Sequence, residues 1–409
     1  MVDRYDVVIA GAGPAGAQCA RDLAARDYDV VVLETEPEDE FPRQSNKSTA
    51  GTFPSMMASF GIPDDVVMQF TDDVVLESPN EYYETYNPGA VLEFAEFKNF
   101  LVDDGRKNGA EYYFDARVSR PILDDNGVIE GVVYNGEEEV YGDVVVDATG
   151  PAAPIASALD VVELERKNQA IGIEYEMEGV ELDHPDYADL SDAMMLRLDH
   201  NIAPGGYSWI FAAGDVTKVG ICYIQNDRHR EFADQGQTID GYLEGWLDDD
   251  PRFANAEKIE GAVHRGSAHI QMPDRMHTDS FLAIGDTVPS IDPLWGEGIH
   301  KGMKSARAAA MTIDRCLTDS DQPTDAEHLS IYDQLWNRDV APNMYNRLML
   351  TQLLYLAPNE RYDRLMQDLE RADDDTLARA NQGDKRAMAK LLNLRDAPLL
   401  AKFTREHLL

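Results

Sequence analysis

Three short sequences place small residues where a backbone can come close to a phosphate or a sugar-like chain. Gly11-Ala12-Gly13-Pro14-Ala15-Gly16 follows the apolar run Tyr5–Ala10. Asp147-Ala148-Thr149-Gly150 closes the run Val144–Val146, and Gly285-Asp286 closes Phe281–Ile284. In the first, Gly11 allows a tight turn, Gly13 lets backbone reach a pyrophosphate, and Gly16 packs helix against strand beside Ala15. Glu34, at the end of the next apolar run, sits where a carboxylate holds ribose hydroxyls. A glycine turn without a nucleotide is the bland alternative for the first motif alone. All three motifs in this order, with Thr149 and Gly150 in the second, argue for a flavin, specifically FAD. Asp286 reads as an acceptor for ribityl or ribose hydroxyls. Gly296 and Gly298 would let backbone N–H groups approach the flavin, and a helix entered at Ile299 would favour its anionic reduced form.

A second group of residues suggests a substrate surface. Tyr207, Trp209 and Phe211 alternate along a predicted strand, so all three point to one face. Such a face makes a flat apolar wall for a long apolar substrate over a flavin ring, or else an ordinary strand core. His264 and His269 have no carboxylate or cysteine at ligand spacing, so no metal site is expected. Glu174–Glu178 alternates acid with Tyr and Met, the pattern of a half-exposed strand.

These residues need a specific scaffold. Tyr5–Ala10, a helix over Ala17–Arg26 and Val30–Leu33 form the βαβ unit that gives the glycine motif its meaning. Strands over Ala110–Val118, Gly127–Tyr134 and Glu139–Val146, with turns at Asn126-Gly127 and Asn135-Gly136, predict an inserted β-meander. Further strands over Ala170–Met177, Met194–Leu198, Tyr207–Ala212 and Val216–Ile224 predict an antiparallel layer, and Gly298–Leu317 a long helix. The expected fold is α/β: an FAD-binding Rossmann-like parallel sheet with an inserted β-meander, an antiparallel-sheet substrate lobe and a helical C-terminal region. The expected FAD-binding domain is discontinuous, over 1–75, 97–161 and 275–325. Residues 76–96 and 162–274 form the lobe, and 326–409 the helical region.

Composition narrows the setting. The 409 residues carry 36 basic and 76 acidic side chains, a net charge of −40. Such a chain repels nucleic acid and suits a salt-rich cytoplasm, where screening is strong, or else is an ordinary acidic protein. Cys19, Cys222 and Cys316 are far apart and odd in number, as in a reducing compartment. No run of 18 apolar residues predicts a membrane span. Between Lys385 and Leu409, however, six basic residues interleave with Leu, Met and Phe against only two acids. A basic amphipathic segment of this kind is a candidate peripheral contact for the anionic inner face of the cell membrane, or else a helix packed on the body.

The chain resembles the geranylgeranyl reductase family of FAD enzymes. Gly206-Tyr207-Ser208-Trp209-Ile210-Phe211 is similar to the family's Gly-Tyr-x-Trp-x-Phe-Pro stretch, with Ala212 in place of the proline. Gly285-Asp286 followed by Pro293-Leu294-Trp295-Gly296-Glu297-Gly298-Ile299 is similar to its second conserved segment. The likeness covers roughly residues 5–320. It implies reduction of isoprenoid C=C bonds in archaeal ether-lipid precursors, with Tyr207 and Trp209 catalytic and Phe211, Trp295 and Thr49 against the substrate. Thr49 stands where the family often has a cysteine. Phe94 stands where the family often has a phosphate-binding arginine, for which Arg43 is a substitute. With one dinucleotide fingerprint, the electron donor is a ferredoxin or a transient NAD(P)H. A flavin monooxygenase of the aromatic-hydroxylase type would share the fold, but those enzymes usually carry Asp-Gly followed by Ser and Arg where this chain reads Asp147-Ala148-Thr149-Gly150-Pro151-Ala152-Ala153. A flavoprotein electron carrier or binder is the non-enzymatic alternative.

Overall fold

The computed structural model describes residues 4–42, 48–318 and 323–407. Contacts divide the chain into two units, each assembled from three stretches. Met1–Asn46, Phe94–Leu164 and Gln271–Pro342 form the first; Lys47–Glu93, Glu165–Ile270 and Asn343–Leu409 form the second.

The first unit is built on valine-rich runs too apolar to leave either face wet, which favours a parallel sheet covered on both sides. Arg4–Ala10 lies between Val30–Leu33 and Glu138–Asp147, parallel to both, and Phe281–Ala283 extends the sheet beyond Glu138–Asp147. Val118–Leu123 and Ile129–Tyr134 fold back against Glu138–Asp147 as the expected meander. The predicted strand over 110–118 is divided. Its first part, Glu111–Tyr113, pairs parallel with Val30–Leu33, and Asp115 then takes a left-handed conformation (φ 51°) that breaks the strand. The first helix, Pro14–Ala24, begins earlier than its apolar pattern suggests, because Pro14 fits the first turn, where its missing N–H has no partner to lose.

The second unit is an eight-stranded, mostly antiparallel sheet. Its order runs Glu257–His269, Gln169–Glu178, Val216–Ile224, Gly206–Ala213, Ala193–Arg197, Val67–Glu77, Tyr82–Leu92, Gly51–Thr52. Gly51–Thr52 and Val67–Glu77 therefore belong to this sheet, although the sequence places 1–75 with the nucleotide domain. Strand pairing decides it: Val67–Glu77 runs parallel to Ala193–Arg197, and Gly51–Thr52 pairs with Tyr82–Leu92. The region 326–409 is likewise shared. Lys301 donates to the Val340 carbonyl at 2.7 Å within the first unit, whereas His200 and Tyr362 bind across the second at 3.1 Å.

One face of the second sheet is a closed core. Ile173, Tyr175, Met195, Ile210, Val219 and Ile221 pack there with Tyr242, Leu243 and Trp246 of the Ile239–Asp249 helix. Strand alternation then commits the opposite face to other work. Among the described residues no helix is long and apolar enough to cross a membrane. Cys19, Cys222 and Cys316 are free.

Candidate active site

The three glycine-bearing motifs of the first unit meet at one row of the sheet. Ala10 is in register with Leu33 on one side and Asp147 on the other, and Asp147 with Ala283. Gly11, Glu34, Ala148 and Ile284 therefore all follow from the same carboxyl edge, where open α/β sheets bind ligands. The edge is packed so tightly that side chains are excluded. A Cβ on Gly16 would lie 1.9 Å from the Gly11 carbonyl oxygen, and one on Gly11 would lie 2.6 Å from the Ala148 oxygen. Gly285 (φ 60°) comes equally close to Ala15, where a Cβ would lie 2.7 Å from the Ala15 methyl. Gly13 and Gly150 are different, since a Cβ there would meet nothing within 4 Å. The space beside them is free for a ligand.

Polar groups around this edge are of two kinds. Glu34 is tied down, accepting from the Ala12 amide at 2.8 Å and the Glu36 amide at 3.0 Å, so its carboxylate is held in place with lone pairs to spare. Asp147, fully buried, accepts from the Thr149 hydroxyl and the Thr149, Ile155 and Ala156 amides at 2.6–3.1 Å. Burial pushes its carboxyl up against those donors. Asp147 thus braces the second motif from within, and the Thr149 and Gly150 amides are already engaged, Gly150 with Thr287 at 3.0 Å. Asp286 is the second kind. Its Oδ1 is buried without a hydrogen-bond partner among the described residues, and burial pushes the carboxyl up to about 6.

The Asp292–Ile299 stretch closes beside Asp286. Asp292 accepts from the Leu294 and Trp295 amides at 3.0 and 3.2 Å. Gly296 turns the chain with φ 67°, and a Cβ on Gly298 would lie 3.7 Å from Asp286 Oδ1. Glu297 accepts from the His300 amide at 2.5 Å in the first turn of the Ile299–Thr318 helix. Burial pushes Glu297 up to about 7 and His300 down to about 4. FAD fits this cradle. An orphaned buried acceptor awaits hydroxyl donors, open glycines admit a pyrophosphate, and a 20-residue helix directs its N-terminus at the same edge. Arg43 lies outside the described residues.

The second unit carries the aromatic wall. On the face opposite its core stand Tyr207, Trp209 and Phe211, with Cys222, Gly220 and Lys218 as their register partners. The next strand continues the face with Gly172, Glu174 and Glu176. Glycine there makes a shelf: a Cβ on Gly220 would lie 2.2 Å from Trp209 Cζ2, so the indole lies flat across the strand. Trp209 reaches Glu174, to which its Nε1–H donates at 2.8 Å. The Thr49 hydroxyl donates to the same oxygen, Oε2. Tyr207 sits beside Trp209, ring centroids 5.9 Å apart. Burial pushes the Cys222 thiol up to about 12 against a bond from Tyr207, which leaves no thiolate on this wall.

The structure thus gathers Trp209 and Thr49 around Glu174, with Tyr207 beside Trp209. Phe211 is on the same face but packs beside Val91 and Met194, against Gly51, where a Cβ would lie 2.5 Å from its ring. Glu174 corrects the sequence reading: the strand is not half-exposed along its length, since Glu174 is buried, Glu176 half-buried and Glu178 exposed. His264 pairs with Glu176 at 3.0 Å, which holds that carboxyl below its usual range. His269, five residues along the same strand, points to the other face, so the two histidines share no ligand.

Comparison with known proteins follows the same lines. Residues 4–325 match the family model described as an FAD binding domain. The chain is 64% identical over 407 residues to the digeranylgeranylglycerophospholipid reductase of Haloferax volcanii, covering 99% of both. It is 28% identical to digeranylgeranylglycerophospholipid reductase 2 of Methanopyrus kandleri, over 90% of this chain and 91% of that one. Among solved structures, a geranylgeranyl bacteriochlorophyll reductase-like protein from Thermoplasma acidophilum superposes with a TM-score of 0.82 at 20% identity, covering 99% of both chains. A flavin-dependent brominase does so with 0.74 at 21%, covering 99% of this chain and 100% of the other. Both likenesses are of fold.

Proposed function

We propose a reaction from one premise: this chain belongs to the digeranylgeranylglycerophospholipid reductase family and carries an FAD binding domain over residues 4–325. It is an FAD-dependent reductase that saturates C=C bonds of geranylgeranyl chains in archaeal membrane-lipid precursors. The observation that carries this reading is the 64% identity maintained over 99% of both chains.

FAD, when bound and reduced, supplies the hydride. The chain's own residues supply the rest. Glu34 is placed for ribose hydroxyls and Asp286 for a ribityl or ribose hydroxyl, with Gly13 and Gly150 leaving room for the phosphates. Gly11, Ala15, Gly16 and Gly285 keep the strand ends close enough to form that cradle, and Gly296, Gly298 and Ile299 bring the helix N-terminus to it. An isolated alkene has no polar handle, so it is oriented by shape and by exclusion of water. Trp209, fixed on its glycine shelf, and Tyr207 beside it do this on the second unit, where Thr49 shares the Glu174 carboxyl with Trp209. Electrons come from a ferredoxin or a transiently bound NAD(P)H.

The exposed Lys385, Arg386, Arg395 and Arg405 bring the protein to an anionic membrane surface where its lipid substrate resides. The segment is not one amphipathic helix. It breaks into Lys385–Lys390, Leu394–Asp396 and Ala397–His407, and Lys402 pairs with Glu231. Neutralising those four cations, with Asp396 left to hold buried Arg361, should weaken binding to anionic vesicles and leave flavin content unchanged.

The reaction is tested anaerobically at high salt, with dithionite-reduced protein and a geranylgeranyl glycerophospholipid. Mass gains of two hydrogens per turnover are expected. No gain, together with oxygen-dependent product from an aromatic substrate, would move the chain to the monooxygenases.

A further inference from the structure

Saturating an alkene consumes a proton as well as a hydride, and the wall of the second unit holds a buried acid that structural needs do not fully explain. Glu174 Oε2 accepts from the Trp209 indole N–H and the Thr49 hydroxyl. Its other oxygen, Oε1, is buried with no hydrogen-bond partner among the described residues. Leaving such an atom unpaired costs about 1–3 kcal/mol, and the bonds to Trp209 and Thr49 account for only one oxygen of the carboxyl. The charged neighbours make the contrast. Glu176, on the same strand, is held by His264 from the adjacent one. Lys218, buried on the other adjacent strand, donates to the Thr49 carbonyl at 3.3 Å. Tyr207 and Cys222 complete the titratable groups of this face, and the Cys222 thiol is bonded to Tyr207. Glu174 alone is bonded only to neutral donors.

We propose that Glu174 and Thr49 form a two-member relay that delivers the proton to the double bond, an assignment that rests on the alkene-reducing reading above. Thr49 is half-buried and Glu174 buried, so the hydroxyl is the outer member and the carboxyl the inner store. A hydroxyl both donates and accepts, so the Thr49–Glu174 bond can run in either direction. The alkene gains a hydride from reduced FAD at one carbon. Its π electron pair takes the Thr49 hydroxyl proton at the other, forming the second C–H bond. Thr49 Oγ1 in turn takes the proton of the Glu174 carboxyl, whose O–H bond breaks to leave a carboxylate. The alkene is reduced, FAD is oxidised, Thr49 is unchanged, and solvent returns one proton to Glu174. Trp209, bonded to the same oxygen, keeps the carboxyl in place during the exchange.

The test uses the full-length, FAD-loaded protein and the geranylgeranyl glycerophospholipid, with turnover followed in ordinary and in deuterated solvent. Glu174→Gln keeps an acceptor for Trp209 but stores no acidic proton, and Thr49→Val removes only the hydroxyl. Each should lower kcat by about 100-fold or more with KM changed less than about threefold. The double variant should be no slower than the slower single one, as expected of residues acting as a unit. Thr49→Ser, which retains a hydroxyl, should lose less than about tenfold. Wild-type kcat should show a solvent isotope effect, and Glu174→Gln should not. Turnover of Glu174→Gln within threefold of wild type, with the solvent isotope effect intact, overturns the relay while the reductase reading stands. If Glu174→Gln fails to bind FAD, Thr49→Val decides alone, full turnover overturning the relay. A wild-type protein that saturates no lipid removes the reductase reading and the relay with it.

Discussion

A buried carboxylate is informative when one of its oxygens has nothing to bind. Asp286 Oδ1 has no partner among the described residues, and burial has moved its carboxyl up to about 6. A ligand hydroxyl that donates to Asp286 would favour the ionised form, so FAD binding and deprotonation reinforce each other. FAD affinity should therefore be constant above neutrality and fall as pH drops through about 6. Asp286→Ala should weaken FAD by about 10- to 150-fold at pH 7.5, as expected for a charge-assisted hydrogen bond of about 1.5–3 kcal/mol. Flavin fluorescence titration of the stripped protein measures both. An affinity independent of pH between 5 and 8 would mean that Asp286 does not face the flavin's hydroxyls. On the wall, Gly220 and Gly172 make a matched pair. A methyl at Gly220 would meet Trp209 at 2.2 Å and the Ile173 carbonyl oxygen at 2.6 Å, whereas at Gly172 its nearest neighbour is Cys222 Cβ at 3.5 Å. Gly220→Ala should destabilise the protein by about 1–3 kcal/mol and perturb Trp209 fluorescence. Gly172→Ala should leave the melting temperature close to wild type.

At the scale of elements, the turn from Arg4–Ala10 into Pro14–Ala24 separates glycines that fold the protein from glycines that bind its cofactor. Gly16→Ala drives a methyl to 1.9 Å from the Gly11 carbonyl oxygen, so helix and strand must part. Gly13, with φ −65°, has an ordinary backbone conformation and an open environment. Gly13→Ala should keep the wild-type melting temperature of the stripped protein and lose FAD. Gly16→Ala should lower both, which circular dichroism and flavin content distinguish. This turn was legible in the sequence because every determinant is local: an apolar run, glycines at fixed offsets, a proline at the first helical position. The alternation of Tyr207, Trp209 and Phe211 was legible for the same reason. Glu174 was not. Its burial is decided by Trp209 and Thr49, 35 and 125 residues away, and an acid alternating with tyrosine and methionine looks like a solvent face until those partners are known. Residues 51–75 are placed with the nucleotide domain by sequence and with the other unit by structure on the same grounds. A strand carries its apolar pattern in its own sequence, but which neighbour it pairs with is written elsewhere, here in Ala193–Arg197. Asp115 could not be read as a break because its left-handed turn is fixed by the Glu36 carbonyl that its amide meets at 3.1 Å.

At the scale of the molecule, two electrostatic regimes should respond to salt differently. The net charge of −40 resides mostly on solvent-exposed carboxylates. Their mutual repulsion opposes the folded state and is screened as the Debye length falls from about 30 Å at 0.01 M to about 3 Å at 1 M. Beneath that surface, Arg252 is fully buried and held by Glu77 at 2.8 and 3.1 Å and by Asp250 at 2.8 Å, while Arg197 shares Glu77 at 3.4 Å. Mobile ions do not reach this network, so screening cannot weaken it. The melting temperature should accordingly rise with KCl, steeply below 1 M and little beyond, because repulsion already screened cannot be screened again. Glu77→Gln strands two buried guanidinium groups with less than their countercharge and should cost about 3–5 kcal/mol. That cost should be the same at 0.5 M and 3 M KCl, giving a melting curve displaced downward and parallel to wild type. A deficit that closes as salt rises would show that ions penetrate to Arg252. A wild-type curve still climbing steeply at 3 M would show that salt acts through apolar burial instead of charge, since only the former keeps strengthening after the Debye length has collapsed.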